Sequence, residues 1–93
     1  MNFKEFLPIG SVVLLENATK KLMIYGVGQT DESNNKTYDY IGVMYPEGNL
    51  GQGTQYLFNH ADIKEVVFKG LDDEERQAFI EYMQTVIDSQ VKL

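Results

Sequence analysis

Ninety-three residues with a mass of 10.6 kDa leave room for a single domain, whose folding would bury roughly 64 % of the unfolded surface in one modest core. With 43 % hydrophobic residues, 12 % aromatics and only 2 prolines the chain is globular in composition, and the absence of Cys excludes disulfides, thiolate metal sites and Cys nucleophiles. Its 8 basic against 14 acidic residues give a net charge of −6, a field that repels phosphate backbones and anionic lipid, so no nucleic-acid partner is expected.

In chain order, Phe3, Phe6 and Leu7 are interrupted by Asn2, Lys4 and Glu5 and stopped by Pro8, so no secretory signal is read there. No window approaches the ~20 apolar residues of a membrane span, and the expectation is a cytoplasmic protein with no membrane insertion. Phe3 and Phe6 serve either as partner contacts or as a strap over the end of the fold. Residues 11–15 (SVVLL) are rich in β-branched side chains and predict the first strand. Residues 20–28 predict a second strand that is apolar on both faces, with Gly26 and Gly28 permitting a bend or bulge.

Residues 29–37 (QTDESNNKT) contain no apolar side chain and predict a solvated loop that tolerates shortening. Residues 38–45 form the next strand, ended by Pro46, and the three glycines of residues 47–54 (EGNLGQGT) mark a hairpin-like return into a strand over residues 55–58. Residues 59–62 (NHAD) predict one helical turn capped by the Asn59 side chain, and residues 63–68 complete the sheet. After Gly70, Asp72 and Glu75 have capping-box spacing, and Phe79, Ile80, Met83, Val86, Ile87 and Val91 recur at three- and four-residue steps as one apolar stripe. A charge at Phe79 or Met83 should therefore break the seam between helix and sheet. Residues 71–93 carry six acids against Arg76 and Lys92, net −4, which suits a basic or neutral partner surface.

The chain thus predicts one α+β domain over residues 1–93, with a β-rich core near residues 9–69 and a C-terminal amphipathic α-helix near residues 72–90. Its architecture is either a small, strongly bent antiparallel five-stranded sheet or an SH3-like barrel, with a flat sheet crossed by the helix as the alternative.

Few residues carry chemistry. His60 is the sole histidine, so no His–His or Ser–His–acid set exists within the chain. As a lone base it would use a nearby carboxylate such as Asp62; the plainer reading packs its ring beside Phe58. Gly48, Gly51 and Gly53 precede a strand and lack the Lys-Ser/Thr of a phosphate loop, so they read as hairpin glycines. Asp72, Asp73, Glu74 and Glu75 lack the alternating ligand spacing of a calcium loop and read as a helix start. No catalytic residue, metal or cofactor is expected. The surplus of tyrosine favours interfaces, and Tyr45 with Pro46, Tyr82, Phe3 and Phe6 are the candidate partner contacts.

The segments LPIGSVVLL (residues 7–15), KLMI (21–24) with Gly26, DYIGVMYPEG (39–48) and LFNH (57–60) before Asp62 and Ile63 resemble a small domain-of-unknown-function family encoded among type VII secretion (ESX/Ess-like) genes of Gram-positive bacteria. The resemblance spans residues 6–85 and carries over no catalytic residue. It implies a non-enzymatic chaperone or targeting factor that holds an LXG-type effector, or its small helical companion, before export. Two rivals are a small-ligand binder or enzyme using His60 with nearby carboxylates, and a structural homo-oligomer joined through open sheet edges.

Overall fold

The computed structural model describes residues 2–91. Five strands, β1 (Val12–Leu15), β2 (Leu22–Asp31), β3 (Lys36–Met44), β4 (Gln55–Phe58) and β5 (Ile63–Phe68), precede one helix, α1 (Glu74–Val91). All pairings are antiparallel and the spatial order is β4-β3-β2-β1-β5. Successive strands pair from β1 to β4, after which β5 returns to pair with β1. The α+β class and the five-strand count read from the sequence hold. The end strands β4 and β5 do not hydrogen-bond to each other, so the sheet is open rather than a closed barrel.

Bulges bend it. The β2–β3 register slips between Ile24 and Gly26, and β1–β5 slips between Val12 and Val13 and again between Leu14 and Leu15. Gly28 sits at φ +61°, a left-handed conformation that side chains disfavour, which accounts for a glycine inside a strand.

The segment expected to be a solvated loop is mostly strand. Gln29, Thr30 and Asp31 pair with Tyr38, Thr37 and Lys36, leaving only residues 32–35 as the turn, with Asn35 at φ +57°. Period-two burial could not reveal this extension because neither face there is buried. Backbone pairing and the Thr30–Thr37 hydroxyl contact of 3.2 Å hold it instead.

On the inner face Val13, Leu22, Ile24, Tyr40 and Phe58 join Phe3, Phe6 and Ile80 in one buried cluster, with Leu15, Val27, Met44, Ile63, Met83 and Ile87 packed around it. The N-terminal segment is a strap across this core. Its 3-10 turn (Phe3–Glu5) starts at Asn2, whose side chain accepts from the Lys4 N–H. Phe3 packs edge-on against Phe6 at 5.2 Å, and Phe6 lies 5.3 Å from Tyr40. Helix α1 clips the strap down, since Gln84 Oε1 accepts the Phe3 N–H at 2.9 Å and Arg76 Nη2 donates to the Phe6 carbonyl at 2.8 Å.

The helix starts one residue later than the expected capping box. Asp73 is the cap, its Oδ1 accepting the Arg76 N–H at 2.9 Å, whereas Asp72 accepts from the Arg76 guanidinium at 3.3 Å. Burial opposes the Asp72 charge, but the Arg76 charge and hydrogen bond, with Lys69, outweigh it and hold its carboxyl below the usual range. The apolar stripe also divides. Ile80, Met83 and Ile87 face the core, Val86 is half-buried, Phe79 stands 53 % exposed, and the side chain of Val91 lies outside the described residues.

Candidate functional site

The bend leaves an apolar concavity on the sheet face opposite the core. Register places Phe68 beside Val12, Val12 beside Met23, Met23 beside Val43, and Val43 beside Gln55, one row running across all five strands. Val12 and Val43 are buried by their neighbours, but Phe68 at the end of the row is 61 % exposed. Beyond β3 the chain turns back, with the Tyr45 N–H donating to the Lys21 carbonyl at 3.0 Å and a cis bond joining Tyr45 to Pro46. Tyr45 and the β5 end wall a groove of about 500 Å³ whose other lining includes Gly10, Val12, Lys21 and Met23.

One charged side chain, Lys21, lines the groove. Lys20 is held by Glu47 at 2.7 Å, and its hydrogen bond draws the Glu47 carboxyl below the usual range. Lys21, exposed on the groove wall, has no ion-pair partner among the described residues. The arrangement sets an apolar hollow beside one free ammonium.

Midway along β3 the Tyr40 side chain is wholly buried. Its hydroxyl accepts the Leu7 N–H at 2.9 Å and lies 2.7 Å from His60 Nδ1. The phenol oxygen has two lone pairs, so it can take the Leu7 N–H and still share a hydrogen bond with Nδ1, the tautomer of His60 setting which of the two donates. Burial pushes the Tyr40 hydroxyl up, against the opposing effect of the Leu7 hydrogen bond. The His60 N–H donates to Asp39 Oδ2 at 2.9 Å, and the Asp39 N–H donates to Asn59 Oδ1 at 3.0 Å.

Asn59 is the N-cap of the 3-10 turn (His60–Asp62), in a capping box with Asp62, and its side chain also laces the turn to β3. Asp62 closes that turn by accepting the Asn59 N–H at 2.8 Å, so it is not the partner of the His60 ring. That ring lies 5.9 Å from Tyr40, which in turn lies 5.4 Å from Phe58. This network fastens the strap to the sheet. No cluster of three His, Asp or Glu side chains able to hold a metal ion exists among the described residues.

Of the residues singled out by sequence, Tyr45 and Pro46 are exposed and Tyr45 walls the groove, while Tyr82 is 64 % exposed on α1. Phe3 and Phe6, at 2 % and 7 % exposure, are core residues and present no contact surface. The N-terminal turn folds both rings inward as a strap, Phe3 against Phe6 and Phe6 against Tyr40. Sequence reasoning missed Phe68, Val67 and Met23. The signal was the unalternating Val66-Val67-Phe68 at the end of a strand that has a neighbour on only one side.

Fold and site together define a small α+β domain with a bent, open antiparallel sheet, carrying an apolar groove on one face and its core and helix on the other. The chain belongs to the family described as a domain of unknown function, DUF4176, whose model matches residues 6–79. The match takes in the whole sheet, the groove and the start of α1. No curated relative and no solved structure matches the chain. No helix among the described residues is long and apolar enough to cross a membrane.

Proposed function

We infer that this protein is a non-enzymatic, cytoplasmic accessory factor that acts by holding another polypeptide. The observation that carries this reading is the groove of about 500 Å³ with Phe68 and Tyr45 exposed on its walls and an unpaired Lys21 beside them. A contiguous apolar concavity rimmed by a free charge is what a peptide-binding surface offers before its partner arrives. The partner we propose is an LXG-type type VII secretion effector, or its small helical companion, held before export. That part of the reading rests on the resemblance of the segments 7–15, 21–24, 39–48 and 57–60 to proteins encoded beside such effectors.

Co-expression with LXG domains of type VII effectors, followed by size-exclusion chromatography, tests it. The expected result is a co-eluting complex that Phe68→Ser weakens and His60→Ala leaves intact. Elution of the protein alone beside every LXG domain tried would overturn the effector reading, and loss of the complex on His60→Ala with the fold retained would favour a site built on His60.

A further inference from the structure

Helix α1 presents two seams of identical spacing. Arg76, Ile80, Met83 and Ile87 form the inner one, with Ile80 6 % exposed and Met83 and Ile87 packed on the core. Displaced by one residue, Glu75, Phe79, Tyr82 and Val86 repeat the same steps of four, three and four. That spacing is the one by which a helix receives another helix, yet no element of the described chain covers it, and Phe79 and Tyr82 stand 53 % and 64 % exposed. The patch continues off the helix onto Leu71 and Ile9, 76 % and 52 % exposed. Between them opens a hollow of about 330 Å³ walled by Leu7, Ile9, Val27, Leu71 and Phe79.

Charge defines what suits this seam. Glu74, Glu81 and Asp88 recur at intervals of seven along the outward side of α1, all exposed and none in an ion pair among the described residues. Only Ala78, Thr85 and Ser89, all small, separate this acidic row from Phe79, Tyr82 and Val86. Long basic side chains of a helix lying on the seam would reach across them. A second copy of this chain would instead bring its own acidic row to the joint.

We propose that the Phe79–Tyr82–Val86 seam of α1 is a second docking surface, distinct from the sheet groove, that receives an amphipathic helix of another polypeptide carrying Lys or Arg beside its apolar stripe. The inference shares with the function above only the premise that the protein works by binding polypeptides, and its test uses no effector, the groove entering only through a control variant.

The probes are two fluorescently labelled synthetic helical peptides matched to α1 in length, with Leu at heptad a and d positions and either Lys or Glu at the flanking positions. Anisotropy titrations with the whole protein should show the Lys peptide binding at least about tenfold more tightly than the Glu peptide, and more weakly as salt rises. Phe79→Ser combined with Tyr82→Ser keeps every acid and removes only exposed rings, so the circular dichroism spectrum should hold while affinity for the Lys peptide falls about tenfold or more. The single variant Tyr82→Ser repeats the test at a still more exposed position, and Phe68→Ser should leave binding unchanged. Equal affinity for both peptides, absence of binding, or undiminished binding by the seam variants would overturn the proposal. So would a dimer of the protein alone in analytical ultracentrifugation that the seam variants abolish, since that would assign the seam to a second copy.

Discussion

At the scale of single residues the most consequential group is the Tyr40 hydroxyl, which ties the N-terminal strap to the strand layer through Leu7 and His60. Tyr40→Phe keeps the ring but leaves the Leu7 N–H and His60 Nδ1 without their partner, at a cost of about 1–3 kcal/mol. In a domain of this size that lowers the melting temperature by about 4–8 °C per kcal/mol, readable by calorimetry. The same residue makes stability depend on alkaline pH. A phenol free in the unfolded chain titrates near pH ~10, and burial raises it in the folded state. Its contribution is fully present below pH ~10 and is lost progressively as pH rises through the higher folded value. Denaturant unfolding across that range should show a steeper alkaline loss for the native protein than for Tyr40→Phe; parallel curves would remove Tyr40 as the cause.

At the scale of elements, the helix shows where periodicity succeeds and where it stops. Three- and four-residue steps identified α1 and its apolar character, but they assign Phe79 and Ile80 to one stripe although they are adjacent in sequence and point to sides about 100° apart. Packing separates them, because the core meets only an arc wide enough for Ile80, Met83 and Ile87. A charge at Phe79 should therefore leave the helix–sheet seam closed, where the sequence pattern predicts that it breaks it. Phe79→Asp should cost about 1 kcal/mol, since only about half of that ring is buried, whereas Ile80→Asp forfeits about 1.5–3 kcal/mol of apolar burial and adds the cost of a desolvated carboxylate. Urea titration of the two variants side by side checks this; equal destabilisation would mean that Phe79 is packed after all.

For the whole molecule, a core supplied from one sheet face must be covered, and it is covered by two elements far apart in sequence. The strap contributes Phe3 and Phe6, the helix contributes Ile80, and Gln84 and Arg76 join the two covers. Ending the chain after Gly70 would uncover Ile80's contacts together with those of Met83 and Ile87. Each such residue is worth about 1.5–3 kcal/mol when fully buried, against a typical domain stability of about 5–15 kcal/mol. The shortened chain should bind an apolar dye and lose its cooperative melting transition. A sharp native-like melt would show that the sheet and strap suffice alone.

The sequence by itself determined the class of the fold, five strands followed by a helix, because β-branched runs, turn glycines and helical periodicity are local properties that survive whatever they pack against. Strands β4 and β5 were legible to the residue, since glycines and Asn59 bound them closely. Tyr45 and Pro46 were legible as a strand end, whereas the groove that Tyr45 walls was not. Only the tertiary structure decided which of several apolar residues are core and which are surface: Phe3 and Phe6 turned inward, Phe68 and Phe79 left outside. An aromatic ring has the same composition and the same local preferences in both places. Its burial depends on which distant element arrives over it, and here the strap and one arc of α1 cover the inner face of the sheet while the outer face keeps its groove.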